Sequence, residues 1–295
     1  IVPASTFIAT PLAVSATGAV PVPVDCDAGT ANMDPAAFAA AITPRTKAVL
    51  PVHLAGQPAD MDSISKVAAA KGVAVIEDAA QSHGATYQGK PCGALALMGC
   101  FSFYPGKNMG AYGDGGLVTT NDSALADRLR RLRHYGQRVK YEHLEKGLNA
   151  RLDGLQAAIL SVKLKRLNEW NKARGAHAAA YRKRLAGVGD LAFQREQPGA
   201  GHVYHLFFIE TDRRDELQRH LSANGVETGI HYPIPIHLQP CYAELGYKSG
   251  AFPQAEKRAK RTLSLPMFAE LTEAQITQVV DAVGAFYAAR PAGAR

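Results

Sequence analysis

The chain has 295 residues and a mass of 31.4 kDa, enough for one large domain and a smaller one, and its 47% apolar and 20% charged residues are the balance of an ordinary globular protein. Its net charge of +7 suits phosphate-bearing ligands, and the lack of any run of five basic residues argues against nucleic acid as a partner. Four scattered cysteines, Cys26, Cys92, Cys100 and Cys241, form no C-x-x-C pair, which argues against a metal site or disulfide framework and fits the reducing cytoplasm; no apolar stretch approaches the roughly 18 residues of a membrane span, and no signal peptide is visible.

Taken in order, Thr6 to Thr17 reads as a helix with a kink at Pro11 and an end at Gly18. Alternating valine and proline from Ala19 to Val24 suit an edge strand. Asp34 to Ile42 is an alanine-rich helix entered through Pro35, and Lys47 to His53 is a strand. Met61, Ile64 and Val67 mark the inner face of a helix closed by Gly72, and Val73 to Ile76 form a buried strand. Strands Cys100 to Tyr104 and Gly116 to Asn121 follow, then a helix from Ser123 to His134. Its R-L-R-R-L-R run, Arg128 to Arg133, reads as a solvated face. Strands and helices alternating at this interval predict an α/β fold with a mostly parallel, doubly wound sheet.

A polar loop from Tyr135 to Asn149 leads to a long helix after Asp153, its apolar face marked by Leu152, Leu155, Ile159, Val162, Leu167 and Trp170. No proline interrupts it before Pro198. Beyond it the pattern predicts strands at His202 to Glu210, Val226 to Tyr232 and Ser264 to Met267. Helices are predicted at Asp215 to Ala223, Pro253 to Arg261 and Thr272 to Ala289. The long helix is expected to join a large domain, residues 1–174, to a small α+β domain, residues 175–295.

Two stretches carry chemistry. Asp78 follows the apolar run Val73 to Ile76, at the carboxyl end of a strand, where open α/β sheets bind ligands. Lys107 follows Pro105-Gly106 in a glycine-rich loop at the end of the Cys100 to Tyr104 strand. An aspartate and a lysine so placed are the two protein groups that pyridoxal phosphate (PLP) chemistry needs: the lysine as covalent anchor, the aspartate to keep the pyridine nitrogen protonated.

Seven segments extend this pattern: Pro3 to Phe7 (P-A-S-T-F), Ile42 to Ala48 (I-T-P-R-T-K-A), Glu77 to Gln81 (E-D-A-A-Q), Ser102 to Asn108 (S-F-Y-P-G-K-N), Gly113 to Gly116 (G-D-G-G), Asn149 to Asp153 (N-A-R-L-D), and His231 to Pro233 (H-Y-P). In them the chain resembles the DegT/DnrJ/EryC1/StrS family of PLP-dependent sugar aminotransferases, along essentially its whole length. The resemblance implies fold type I, the aspartate aminotransferase-like architecture. It implies Lys107 as the Schiff-base lysine and proton carrier, Asp78 on the pyridine nitrogen, Gln81 on the ring hydroxyl and Ser102 on the phosphate. Asn149 would reach the phosphate in a neighbouring subunit, so that a cytoplasmic homodimer shares its active sites.

The resemblance further implies ping-pong transfer of an amino group from an amino acid donor, L-glutamate, to a nucleotide-linked keto-sugar. The Tyr104 form of the lysine loop and the segment from His231 look most like the branch that aminates C3 of dTDP-3-keto-6-deoxyhexoses, with Tyr104, His231 and Tyr232 on the sugar. UDP-linked 3-keto- or 4-keto-sugars are the alternatives, as is a non-catalytic binding or regulatory homologue. Family members carry roughly 70–90 more residues ahead of the counterpart of Ile1, including a phosphate-cradling helix N-terminus. The expectation is therefore a fragment of a longer reading frame that binds PLP weakly or not at all.

Overall fold

The structure, a computed structural model, describes residues 1–289; the last residues of the expected second domain, 290–295, lie outside the described residues. The chain begins with β1 (Val2–Pro3), α1 (Ala9–Ala16) and β2 (Pro23–Val24), and β1 pairs with β2 in parallel. α2 (Pro35–Ala41) is capped by Asp34, whose carboxylate accepts the Ala36 amide at 2.9 Å. β3 (Ala48–Val49), α3 (Met61–Lys71) and β4 (Ala74–Asp78) make the first crossover, and Asp60 caps α3 through the Ser63 amide. A hairpin of β5 (Thr86–Tyr87) and β6 (Lys90–Pro91) precedes β7 (Met98–Ser102) and β8 (Gly116–Thr119). The sheet runs β3-β4-β7-β8, with the first three parallel and β8 antiparallel. The β1–β2 ladder abuts it, since the Leu50 amide donates to the Ile1 carbonyl at 2.9 Å.

α4 (Ser123–Leu132) leads to a second hairpin, β9 (Gln137–Val139) and β10 (Glu142–His143), then to α5 (Gly154–Leu164) and α6 (Leu167–Leu185). The remainder is β11 (Ala192–Phe193), β12 (Ala200–Gly201), β13 (Phe207–Glu210), α7 (Arg214–Ala223), α8 (Pro253–Arg261), β14 (Thr262–Leu265) and α9 (Glu273–Ala288). β11, β13 and β14 form an antiparallel sheet, while β12 joins the β5–β6 hairpin.

Two cores organise these elements. One holds Val24, Phe38, Val49, Ile64 and Val73 between α2, α3 and the parallel strands. The other holds Tyr181, Leu185, Ile209, Leu217, Leu263 and Val283 around the second sheet. Each fully buried side chain of this size contributes about 1.5–3 kcal/mol of transfer free energy. Phe208 meets Val52, Leu54 and Ala55 in a smaller cluster that ties the two halves together.

Several expectations fail for local reasons. Pro11 makes no kink: α1 starts at Ala9, so Pro11 lies in its first turn, where no intrahelical hydrogen bond is lost. The Val73 strand is buried only at Val73 and Glu77, because Ala74, Val75 and Ile76 are only half covered. The long helix is two helices broken at Lys165-Arg166, and its expected apolar face is partly in water: Leu155 is 72% and Val162 70% exposed, while burial falls on Leu160 in α5 and on Leu167, Arg174, Ala178, Tyr181 and Leu185 in α6. The strand from His202 shrinks to Phe207–Glu210, because the His202 ring stacks on Tyr204 and accepts its amide at Nδ1. From Val226 to Tyr232 only Gly229 pairs, with Ser264, and the His231 ring folds back over Gly229. In the arginine run, Arg128 pairs with Glu145 and Arg131 with Asp127 and Glu145. Arg130 and Arg133 border a groove of about 1040 Å³ outside β8 whose lining includes neither Asp78 nor Lys107.

Candidate active site

Side chains alternate along β4, so Glu77 and Asp78 point to opposite faces. Glu77 is completely buried and accepts four hydrogen bonds: from His53 Nε2 at 3.0 Å and from the amides of Gly93, Leu95 and Ala96 at 2.6, 2.8 and 3.0 Å. His53 Nδ1 accepts the Ala59 amide at 3.1 Å, so Nε2 carries the ring proton. Cys92 completes a cluster with metal-like spacing, but the lone pairs of His53 and Glu77 are already engaged in these bonds. Glu77 therefore anchors the 92–96 loop beneath the sheet.

Asp78 sits on the other side. Its Oδ2 accepts the Thr10 hydroxyl at 2.6 Å and its Oδ1 the Ala80 amide at 3.1 Å. An ionised carboxylate has capacity beyond those two donors, which is what a protonated ring nitrogen requires. Lys107 comes from the turn after β7, which is closed by its own amide donating to the Tyr104 carbonyl at 2.9 Å. A Cβ on Gly110 would lie 2.2 Å from the Pro105 carbonyl oxygen, so this loop closes only with glycine there. Burial holds the Lys107 amine below the ordinary lysine range, and Asp78 opposes that shift. A half-buried amine that holds its proton less tightly than an exposed lysine is a better nucleophile and base near neutral pH.

Gln81 joins the two halves. Its Oε1 accepts the Ala55 amide at 2.6 Å, and its Nε2 donates to the Tyr232 hydroxyl at 3.2 Å, leaving one amide proton free. Tyr232 is held protonated, its phenol pushed up to about 12 by burial, and it lies 5.5 Å from the Phe7 ring. His231 Nδ1 lies 2.8 Å from Ser264 Oγ, and burial with the Lys107 charge lowers its proton affinity. Asp78, Gln81, Lys107, His231 and Tyr232 thus converge. Ser102 lies beside them at the end of β7; its Oγ accepts the Tyr104 amide at 3.2 Å, so its proton is free to donate. Tyr104 itself points outward at 59% exposure. Asn149 is exposed and accepts Arg151 Nε at 3.0 Å, and among the described residues no hydrogen bond joins it to the group around Lys107.

The residues that sequence reasoning missed are Thr10, His83, Asn108, Asn171 and His205. His83 lies two residues past the Glu77 to Gln81 segment, and nothing in its spacing marks it as buried, with its ring 5.2 Å from Phe101 and 5.9 Å from Phe103. Burial, then the Lys107 charge, pushes His83 down to about 4, and His205 well below its usual range. These histidines take up protons more readily unfolded than folded. Their contribution to stability is complete above about pH 6.5 and is lost as the pH falls toward 4. For His83 alone the loss is about 3 kcal/mol. Thermal melts from pH 7.5 to 4.5 should show this decline, and His83→Phe should flatten it; identical slopes for the two proteins would refute the assignment.

The residues present fit a PLP-type cofactor: a carboxylate with spare lone pairs, an amide and a hydroxyl with free donors, and a partly desolvated lysine. Fold and site together define a fold type I, PLP-dependent aminotransferase. The chain belongs to the DegT/DnrJ/EryC1/StrS aminotransferase family, whose profile matches residues 1–284. It is 50% identical over 283 residues to a dTDP-3-amino-3,4,6-trideoxy-alpha-D-glucose transaminase of Streptomyces venezuelae, a match covering 96% of this chain and 75% of that relative. Its structure superposes on S. venezuelae DesV, solved in complex with a ketimine intermediate, with a TM-score of 0.95 and 49% identity over 97% of this chain and 77% of that one. NtdA of Bacillus subtilis, solved with bound cofactor PMP, gives a TM-score of 0.90 at 33% identity, covering 97% and 67% of the two chains.

Proposed function

We propose that the protein moves an amino group from L-glutamate to the C3 ketone of a dTDP-linked 3-keto-6-deoxyhexose. The observation that carries this reading is the convergence of Lys107 and Asp78 with Gln81, His231 and Tyr232, in a chain half identical to a dTDP-3-amino-sugar transaminase. PLP, when bound, supplies an aldehyde for covalent capture of the amine and a ring that withdraws electrons. Asp78 holds the ring nitrogen protonated, Gln81 donates its free amide proton to the ring hydroxyl, and Ser102 donates to the phosphate. Lys107 anchors the cofactor and then moves a proton at its Nζ. His231 and Tyr232 face the sugar as a neutral ring and a hydroxyl, with Tyr104 at the rim.

The assembly read with this function is a cytoplasmic homodimer in which Asn149 reaches the partner's phosphate. The exposed Leu155 and Val162 of α5, together with Leu148 near Asn149, support an interface there. The two cores support reading residues 1–174 as the cofactor domain and 175–295 as the small domain.

The test is to add PLP, L-glutamate and a dTDP-3-keto-6-deoxyhexose to the purified protein and to a version extended at its N-terminus, following the amino sugar by mass spectrometry and 2-oxoglutarate by a coupled assay. Both products should form. Turnover of a UDP-linked 3-keto-sugar alone would replace the substrate, and turnover of neither would overturn the reading. Asp78→Asn should lower kcat by about 10²–10³-fold, since a neutral amide cannot hold the ring nitrogen protonated. A variant retaining more than a tenth of the activity would remove Asp78 from that role.

A further inference from the structure

Lys107 is followed by a residue that does not behave like part of a surface loop. Asn108 is only 5% exposed, and its amide is fully engaged by distant segments. Its Nδ2 donates to Asn171 Oδ1 at 2.9 Å and to the Val203 carbonyl at 3.0 Å, and its Oδ1 lies 3.1 Å from His205 Nδ1. Because the Asn108 oxygen only accepts, His205 must carry its proton on Nδ1, which leaves Nε2 as the ring's acceptor. Asn171 closes the network by donating to the His83 carbonyl at 2.8 Å. α6 and the 202–206 segment thereby hold the lysine loop against the chain that follows Asp78.

We propose that Asn108, held by Asn171 and His205, is a positioning residue that fixes the direction of the Lys107 side chain, with His205 acting through its Nδ1–H donor rather than by filling space. This rests on the reading of Lys107 as the working amine and deepens it. Met109 and Ala111 pack with Phe103, Leu160 and Leu167 and secure the far side of this loop, while the three hydrogen bonds at Asn108 fix the residue adjacent to Lys107. The charged and titratable groups facing Lys107 are Asp78, His83, His205 and His231, and Arg174 faces His205 in turn. A lysine free to swing out of this group would regain water.

The experiment is competitive acylation of the cofactor-free protein with acetic anhydride across pH 7 to 11, reading Lys107 by peptide mass spectrometry in the parent, Asn171→Ala, His205→Phe and His205→Asn. Asparagine at 205 keeps an N–H where Nδ1 was, whereas phenylalanine keeps the ring and loses the donor. The labelling midpoint should rise by about one unit in Asn171→Ala and His205→Phe, a tenfold fall in reactivity at fixed pH, and return toward the parent in His205→Asn. An unchanged midpoint in His205→Phe, or an equal shift in His205→Asn, would overturn the proposal. Circular dichroism checks each fold, and the two substitutions at 205 decide the matter if Asn171→Ala does not fold. A PLP titration of the parent is read alongside. A failure to develop Lys107-dependent visible absorbance in both this chain and an N-terminally extended version would count against the aminotransferase reading, and unshifted labelling against the brace.

Discussion

Lys107→Ala should abolish amino transfer, lowering turnover by about 10⁴-fold or more, because in the proposed function one side chain is both covalent anchor and proton carrier. Lys107→Arg should fail equally: a guanidinium keeps the positive charge but neither forms the covalent bond nor releases a proton near neutral pH. Neither variant should unfold. The amine is held by desolvation and an opposing carboxylate rather than by hydrogen bonds, so removing it relieves a cost. Removing the charge also relieves His83, His205 and His231, whose proton affinities it depresses, so Lys107→Ala should lose less stability than the parent between pH 6.5 and 4.5. Visible absorbance that develops with PLP in the parent should be missing in both variants. Residual turnover above 1% in Lys107→Ala would remove the lysine from the mechanism.

Glu77→Ala should have the largest effect on stability, about 3–5 kcal/mol, because it leaves the Gly93, Leu95 and Ala96 amides and the fully buried His53 Nε2–H without their acceptor. Glu77→Gln should cost less, about 1–3 kcal/mol, since one oxygen still accepts while the amide nitrogen faces a donor. Urea denaturation would show the midpoints in the order parent, glutamine, alanine. A loss below 1 kcal/mol for alanine would mean that the 92–96 loop is held by something else. The contrast with Asp78 is instructive: adjacent carboxylates on one strand point to opposite faces, Glu77 bound into the fold and Asp78 assigned, in the proposed function, to the cofactor.

Much of the site was legible in the linear chain. Asp78 at a strand's carboxyl end and Lys107 after Pro105-Gly106 are positions defined by their immediate neighbours, so the strand and turn patterns placed both correctly. Helices entered through Asp34-Pro35 and ended at Gly72 were equally readable, since caps are local chemistry. The single long helix was misread because an apolar residue can face either a core or open surface, and spacing alone does not distinguish Leu155 from Leu160.

What the amino-acid order determined by itself was therefore the α/β class, the strand-end positions of Asp78 and Lys107, and the family likeness, all carried by residues close together in the chain. What only the tertiary structure decided was which polar side chains surround that pair. Asn108 meets His205 across 97 positions, Gln81 meets Tyr232 across 151, and Thr10 reaches Asp78 across 68. The physical reason is range: turns, caps and periodicity act over a few residues, whereas these hydrogen bonds form only once the two cores have docked and excluded water between them.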